Sequence, residues 1–284
     1  MIELWVRGIG LLGPGLADWN SGMAALRTPA SAWQRCATVV PAAARLPANE
    51  RRRAGTVIKA ALAVADQAVA MADADPAQLT TVFASSTGDP ANCHALCEAL
   101  AAPERAVSPT RFTNSVHNAP GGYWHIATQS RRASTSIAAY DASFGAGLLE
   151  AAVCAHTRGE EVLLVACDVP YPEPLHALRP LADTMAVALV LAPRALPGRS
   201  HLRGIRAGDR AGDRASDRAL CIEVLGAPAP ATPCSDTALE VLRNEIPAAR
   251  ALPLLCALAG GGAAAPLRLE AADGCTLSIT VEAR

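Results

Sequence analysis

Two short stretches of the sequence consist almost entirely of apolar residues. Glu161 to Ala166 reads EVLLVA, and Met185 to Leu191 reads MAVALVL. A strand that is covered on one face alternates apolar and polar residues, whereas a strand covered on both faces is apolar throughout. We therefore predict a sheet with helices on each side, which restricts the chain to α/β architectures.

Strand-like and helix-like patterns alternate from the N-terminus to about residue 190, which favours a mixed, mostly parallel sheet flanked by helices. Further strands are predicted over residues 2–9, 79–84, 134–139 and 219–225. Helices are predicted from Arg53 to Ala72 with Asn49 as the N-cap, from Asp89-Pro90 onward, and from Ser143 to Thr157 with Gly159 as the terminator.

The last third of the chain has a different character. Arg206 to Arg218 reads RAGDRAGDRASDR, a Gly/Asp/Arg repeat without an apolar face, and we interpret it as a solvated loop. Two short helices, at about 236–246 and 249–259, precede a hairpin about Asp273-Gly274. We predict a domain over residues 1–230 and a short helix-helix-hairpin extension over residues 231–284.

The composition argues against several classes of function. A net charge of −1 provides no field for nucleic acid or anionic lipid. Lys59 and Asp66 interrupt the best apolar run, so no stretch reaches the roughly 18 residues that span a bilayer. Nine cysteines without paired C-x-x-C spacing predict reduced thiols and a cytoplasmic location, and the N-terminus lacks the features of a signal peptide.

Gly8, Gly10 and Gly13 match the G-x-G-x-x-G pattern of dinucleotide sites. Such a site also needs a helix that begins at the third glycine and an acidic residue about 20 positions further on. Pro14 stiffens the backbone where that helix would begin, and residues 28–33 contain no Asp or Glu. We interpret the match as accidental, and no cofactor is expected.

Two central segments carry a more specific resemblance. Ser108 to Gly122 reads SPTRFTNSVHNAPGG, and Ser134 to Gly147 reads STSIAAYDASFGAG. The first resembles the segment of β-ketoacyl synthases that leads into the helix beside the acyl pocket and dimer interface. The second is similar to the strand, sharp turn and small-residue helix that carry the catalytic cysteine. The resemblance extends over about residues 1 to 230 and implies the N-terminal half of a thiolase-like fold.

The chain departs from that family at the nucleophile. Counting from Ser136-Ile137, the cysteine position falls on Asp141. A carboxylate can cap the following helix, but it forms no stable thioester. Cys154 and Cys167 are expected to be small buried hydrophobic residues.

A second departure concerns the catalytic histidines, which lie in the C-terminal half of the family's members. The last histidine of this chain is His201. The combination resembles the short chain-length-factor proteins of aryl polyene and related type II polyketide or fatty-acid-like pathways. It implies a pseudoenzyme that forms a heterodimer with a full-length β-ketoacyl synthase and binds an acyl carrier protein.

The resemblance also implies roles for individual residues. Thr135, Ser136 and Ile137 would lie at the dimer interface, and Arg51, Arg52 and Arg53 would contact the carrier protein. The partner's acyl channel would be lined by six residues of this chain: Phe112, Val116, His117, Asn118, Tyr140 and Phe144.

Other interpretations of these residues remain open. His117 is either a catalytic base or a hydrogen-bonded structural residue. Cys93, His94 and Cys97 invite a zinc interpretation, but only the two cysteines share a helix face, so no metal is expected. Asp141 with Ser143 could form a hydrolytic pair. The rival functions are therefore an acyl- or malonyl-thioester hydrolase or decarboxylase that uses Asp141, and a scaffold that recruits carrier protein through Arg51–Arg53.

Overall fold

A computed structural model describes residues 1–28, 33–194, 218–272 and 274–282. The Gly/Asp/Arg repeat predicted to be a loop lies outside these residues, except for Arg218, which begins a strand. The strands are β1 (Ile2–Leu12), β2 (Thr80–Ala84), β3 (Ser134–Ile137), β4 (Val162–Asp168), β5 (Met185–Pro193), β6 (Arg218–Leu225), β7 (Leu267–Ala272) and β8 (Cys275–Glu282).

Ten α-helices are described, together with 3₁₀ turns at Pro76–Gln78 and Pro247–Ala251. They are α1 (Trp19–Arg27), α2 (Ala48–Arg53), α3 (Thr56–Ala72), α4 (Pro90–Ala101), α5 (Pro109–Thr113), α6 (Ala119–Thr128), α7 (Ser143–Arg158), α8 (Leu175–Leu178), α9 (Thr237–Glu245) and α10 (Leu252–Gly260). The N-cap prediction for Asn49 is wrong, because Asn49 lies inside α2 and Gly55 precedes α3.

The strands form one mixed sheet in the order β3-β2-β4-β5-β1-β6-β8-β7. Only β2 with β3 and β2 with β4 are parallel pairs, and the remaining described pairs are antiparallel. The α/β class and the flanking helices are confirmed, but the prediction of a mostly parallel sheet is wrong. A continuous apolar run reports burial on both faces, and an antiparallel strand covered by helices has the same pattern.

Successive side chains of β4 and β5 enter two different cores. Leu163 and Val165 pack with α3 on one face, whereas Val162 and Leu164 pack with α7 and the C-terminal helices on the other. This period of two is the expected geometry of a strand that is buried on both sides.

The glycines of the N-terminal motif allow α3 to pack closely on β1. A Cβ atom at Gly8 would lie 1.9 Å from the carbonyl oxygen of Ala68, and one at Gly10 would lie 1.9 Å from that of Val64. Both glycines are inside a strand, so they face a helix backbone instead of a ligand. The next helix, α1, begins only at Trp19, with Asp18 as its cap.

Residues 231–282 continue the same sheet and core. The hairpin of β7 and β8 pairs with β6, and α10 packs against α1. The helix-helix-hairpin order matches the sequence prediction, while the domain boundary at residue 230 stays a prediction. Among the helices of the described residues, none has the length and apolar character needed to cross a membrane.

Candidate functional site

A sharp turn joins β3 to α7 at the position of the resemblance to the nucleophile segment. Tyr140 has a φ of 51°, in the left-handed region that few residues other than glycine adopt. The Ser143 hydroxyl donates to the Tyr140 carbonyl at 2.6 Å and accepts from the Ala139 amide at 3.0 Å. Ser143 thus holds the turn closed and begins the helix.

The first turn of α7 is built from small residues because its neighbours are close. A Cβ atom at Gly145 would lie 2.0 Å from the Glu270 carbonyl oxygen, and one at Gly147 would lie 2.8 Å from Cβ of Ala84. The two glycines of the sequence FGAG are therefore required by packing of the helix against β7 and β2.

Asp141 follows the strained residue and is 39% exposed. Its Oδ1 accepts from Arg179 Nη2 at 2.5 Å, and its Oδ2 lies 3.8 Å from Arg250 Nη2. The expectation that this carboxylate caps α7 is wrong, because Ala142 occupies the N-cap. Two arginines therefore pair with the side chain that the sequence resemblance assigns to the nucleophile position.

Arg179 follows α8 and has four contacts in this region. Its guanidinium carbon lies 3.7 Å from the centre of the Tyr140 ring, which is a cation–π distance. It also donates to the Tyr171 hydroxyl at 3.0 Å and to Ser86 Oγ at 2.9 Å. Burial alone would lower the pKa of Arg179, but the hydrogen bond to Asp141 and the electrostatic effect of Tyr171 outweigh it, and the pKa is raised.

Asp168 fixes the loop that carries Ser86. This buried carboxylate, at the end of β4, accepts from the backbone amides of Ser86 at 2.7 Å and Thr87 at 3.0 Å, and from Ser85 Oγ at 3.2 Å. Burial raises the pKa of Asp168, although the hydrogen bonds oppose this shift. The ends of β2, β3 and β4 are thereby joined through one polar network, which we call the Asp141 network: Ser86, Tyr140, Asp141, Asp168, Tyr171, Arg179 and Arg250.

The Ser143 hydroxyl is engaged by the backbone, and the Asp141 carboxylate by arginines. The two residues do not form an acid–nucleophile pair in this arrangement. Cys154, which is buried, contacts Glu150 at 3.5 Å.

A thiol and an imidazole do line one small cavity, those of Cys167 and His117. Its volume is about 10 Å³, at the lower limit for a single water molecule. The Cys167 thiol donates to the Val57 carbonyl at 3.7 Å, and burial raises its pKa well above the ordinary value. The cavity therefore has no room for an acyl substrate, and the sulfur is held in its neutral form.

The segment expected to line an acyl channel is largely at the surface. Phe112 is 69% and Val116 is 52% exposed, and Asn118 is exposed where it precedes α6. His117 Nε2 lies 3.2 Å from the Ser85 carbonyl oxygen, which connects this segment to the loop of the Asp141 network.

The two aromatic residues near the turn have different environments. Tyr140 is 64% exposed beneath Arg179, whereas Phe144 is buried in the core of this chain. Of the six residues expected at the channel, the structure therefore leaves Phe112, Val116, His117, Asn118 and Tyr140 accessible. Thr135, Ser136 and Ile137 lie on β3, which is an edge of the sheet and is partly exposed.

The three consecutive arginines of α2 have different environments. Arg51 donates to the carbonyl oxygens of Ala44 and Leu46 at 3.0 and 2.9 Å, so it stabilises the preceding loop. Arg52 and Arg53, together with Arg111, line a surface cleft of about 490 Å³.

Asp89 lies in the same cleft and caps α4. Its carboxylate accepts from the Asn92 amide at 3.0 Å. Burial raises the pKa of Asp89, while the backbone hydrogen bond and the charge of Arg111 oppose the shift. The cleft therefore presents three cations and one carboxylate.

Cys93 and Cys97 lie on one face of α4, and His94 pairs with Glu98 at 3.3 Å. Among the residues that the structure describes, no group of three or more potential metal ligands comes together.

Arg179, Arg250 and Asp168 were not identified from the sequence. Arg179 stands in a stretch without helical or strand periodicity, and Arg250 in a short helical segment. Their approach to Asp141 depends on long-range packing, which residue spacing does not report.

The sequence matches the family model described as β-ketoacyl synthase, N-terminal domain, over residues 26–219. The chain belongs to this family. No curated protein matches it.

Solved structures share the fold over the whole length of this ketosynthase-family chain. A chain of the ketosynthase ApeO in complex with its chain length factor ApeC, from Xenorhabdus doucetiae, has a TM-score of 0.70 at 20% identity, covering 99% of this chain and 100% of that one. The ishigamide ketosynthase/chain length factor gives 0.70 at 13% identity, covering 100% and 99%.

A third structure is AntDE:AntF, a type II polyketide carrier protein with its ketosynthase bound to the hexaketide. It gives a TM-score of 0.72 at 12% identity and 100% coverage of both chains. These similarities identify a thiolase-like ketosynthase fold.

Proposed function

We propose that this protein is a non-catalytic subunit of the chain-length-factor type, which pairs with a catalytic β-ketoacyl synthase and shapes its acyl channel. The observation that carries the proposal is the pairing of both Asp141 carboxylate oxygens with arginines. A condensing enzyme needs a thiolate at this position to accept the acyl chain. A neutralised carboxylate cannot take that role.

Similarity to chains in ketosynthase and chain-length-factor complexes supports the same proposal. The structural matches to the two complexes that contain a chain length factor cover 99% or more of this chain and of each matched chain. Residue roles cannot be transferred between chains at 20% sequence identity or less. The channel and interface assignments therefore rest on the positions of the residues described above.

We propose that the partner interface includes the free edge of β3 and exposed apolar side chains of this chain. Thr135, Ser136 and Ile137 leave one side of an edge strand unpaired within the described sheet, and such an edge is a template for pairing with another chain. Phe112 and Val116 offer further exposed apolar side chains, which the proposed partner would cover. Covering them would remove apolar surface from water.

The carrier-protein contact is proposed for the cleft that Arg52, Arg53 and Arg111 line. Carrier proteins have acidic surfaces, and three guanidinium groups provide a complementary field. Arg51 is excluded from this proposal because its guanidinium binds backbone carbonyls. The biosynthetic setting we propose is a fatty-acid-like, polyketide or aryl polyene pathway.

The geometry supports a hydrolase less well than a non-catalytic subunit. The Ser143 hydroxyl is hydrogen-bonded to backbone atoms, and the Asp141 carboxylate is paired with two arginines. Incubation of the purified chain with malonyl- and acyl-carrier protein tests it. Turnover that Asp141→Ala abolishes would favour that interpretation over ours.

Heterodimer formation is tested by co-expression with a full-length synthase encoded beside it, followed by gel filtration. We expect one co-eluting complex whose condensing activity depends on both chains. Ser136→Arg places a charge on the proposed interface strand and should separate the chains. Ala272→Arg, at an exposed position on β7 at the opposite edge of the sheet, adds the same charge and is the matched control. Two separate monomers, with the synthase active alone, would end the proposal.

A further inference from the structure

Two buried amide side chains frame the cleft that Arg52, Arg53 and Arg111 line. Asn114 ends α5, and its Nδ2 donates to the Arg53 carbonyl oxygen at 3.1 Å, which joins the two helices that carry the arginines. Asn92, on α4, donates to the Arg111 carbonyl oxygen at 2.8 Å. Both asparagines are 7% exposed. The backbone of two of the three arginines is therefore held in place by the fold itself.

The guanidinium groups of the cleft are incompletely neutralised. Arg53 Nη1 pairs with Glu50 Oε1 at 3.2 Å, and the arginine side chain of this pair is 54% exposed. Such an exposed ion pair contributes little stability and can give way to a stronger acceptor. Arg52 donates to the amide oxygen of Asn49, which is a neutral partner. Arg111 forms no salt bridge with any residue that the structure describes. The cleft can therefore offer cationic donors to an anion.

One carboxylate in the cleft opposes these cations. Asp89 Oδ1 accepts from the Asn92 amide at 3.0 Å and so caps α4. The other oxygen of Asp89 lies beside the N-terminus of α3, where a Cβ atom at Gly55 would be 2.7 Å from it. The end of α3 is therefore already taken by a carboxylate, and an incoming anion is left with the arginines and the polar side chains around them.

The lining of the cleft indicates the chemical class of its ligand. Guanidinium and hydroxyl groups are donors that phosphate oxygens bind in proteins, and hydroxyl side chains line the cleft beside the arginines: Thr56, Ser108 and Thr110. Its volume of about 490 Å³ is typical of a small-molecule site and larger than a bare phosphate ion fills. Apolar walls for an attached organic group are also present: Ala91, Val169 and Pro170.

We propose that this cleft binds the phosphate group of a phosphate ester that carries an organic arm. The ester is either the phosphodiester that joins a carrier protein to its prosthetic arm, in which case the inference rests on the carrier contact proposed above, or a free ester of the same chemistry. In both cases Arg52 and Arg111 donate to phosphate oxygens. Asp89 weakens the binding, because it places a like charge in the same cleft.

Calorimetric titration of the full-length protein with free phosphopantetheine tests the site. Arg52→Gln and Arg111→Gln each remove one charged donor from an exposed position and should raise the Kd about tenfold. Asp89→Asn keeps an oxygen that caps α4 but removes the charge, and it should lower the Kd about threefold. Arg268→Gln, at an exposed position on β7, is the matched control and should bind like wild type.

The apo and holo forms of the carrier protein separate the two sources of the ester. Tighter binding of the holo form, with the difference lost in Arg111→Gln, assigns the phosphodiester of the prosthetic arm. Equal binding of the two forms, with phosphopantetheine still bound, assigns a free ester.

Two results would overturn the inference. One is a carrier protein that binds in both forms while phosphopantetheine does not bind, which would leave the proposed carrier contact intact. The other is phosphopantetheine binding that Arg52→Gln and Arg111→Gln leave unchanged or that Asp89→Asn weakens. Phosphopantetheine binding with the expected variant effects, but without carrier binding, would support this site and contradict the carrier contact instead.

Discussion

Arg179 donates to the Asp141 carboxylate at 2.5 Å, so a cation lies against the side chain that follows the strained Tyr140. The same arginine lies on the Tyr140 ring and reaches Ser86. This one side chain therefore joins the turn after β3 to the loop after β2.

We predict that Asp141→Cys produces a reactive thiol without a condensing enzyme. Arg179 and Arg250 would favour the thiolate, so iodoacetamide should alkylate this position faster than the other cysteines. Condensation should stay absent, because among the described residues the side-chain contacts of Asp141 are with Arg179 and Arg250 and none is with a histidine. Alkylation kinetics by peptide mapping and a malonyl-carrier-protein condensation assay check the two halves, with the native exposed Cys36 and Cys97 as internal references. Condensation by the Asp141→Cys variant, or alkylation no faster than at the native exposed thiols, would contradict the prediction.

Glu240 is predicted to contribute pH-dependent stability. The hydrogen bond from Arg243 lowers the pKa of Glu240 from 4.5 to about 2. A folded-state pKa below the unfolded value stabilises the protein above about pH 4.5, and this stabilisation is lost as the pH falls toward 2. The side chain is 24% exposed, so we expect Glu240→Gln to cost about 1 to 3 kcal/mol at neutral pH.

Urea unfolding between pH 7 and pH 3 measures this effect, and the difference between wild type and variant should shrink as the pH falls. Glu245→Gln, in a more exposed pair with Arg35, should change stability by less than about 1 kcal/mol. A constant difference across the pH range would contradict the assignment to Glu240.

Gly10→Ala is predicted to destabilise the fold strongly. The added Cβ would meet the backbone oxygen of Val64 at 1.9 Å, so α3 has to move off β1. We expect a loss of about 2 kcal/mol or more, measured by thermal or urea unfolding. Gly226→Ala meets no atom within 4 Å and should unfold like wild type. Equal stability of the two variants would rule out the close approach.

Substitution at Val116 is predicted to change the product length of the complex. In the proposed assembly this side chain meets the partner's channel, where added volume limits the acyl chain and removed volume extends it. Mass spectrometry of products should show shorter chains with Val116→Phe and longer chains with Val116→Ala. Val241→Phe, at an exposed position on α9, should leave the distribution unchanged. Unaltered products from both Val116 variants would favour a scaffold role.

Charge reversal in the arginine-lined cleft is predicted to weaken carrier-protein binding. Arg52→Glu combined with Arg111→Glu should raise the Kd about tenfold or more at low salt, and the difference should narrow as salt increases. Calorimetric titration measures it, and Arg268→Glu on β7 is the control. Equal binding by the cleft and control variants would move the contact elsewhere.

The sequence predicts the elements of this fold more fully than their pairing. Apolar runs and small residues at helical spacing identify β4, β5 and α7, because buried positions require apolar or small side chains. The residue pattern does not indicate strand direction, so the sequence does not predict the antiparallel pairing of β5 with β4. The resemblance located the turn at Asp141, but the two arginines come from segments 38 and 109 residues away in sequence, and only tertiary packing brings them together.

The turn that carries Asp141 is held by the Ser143 hydroxyl and by backbone atoms, and the side chain at position 141 takes no part in closing it. The shape of this turn is thus physically separable from the chemistry of the side chain that it presents. The turn would accept a reactive or an inert side chain at position 141 and keep its shape in either case.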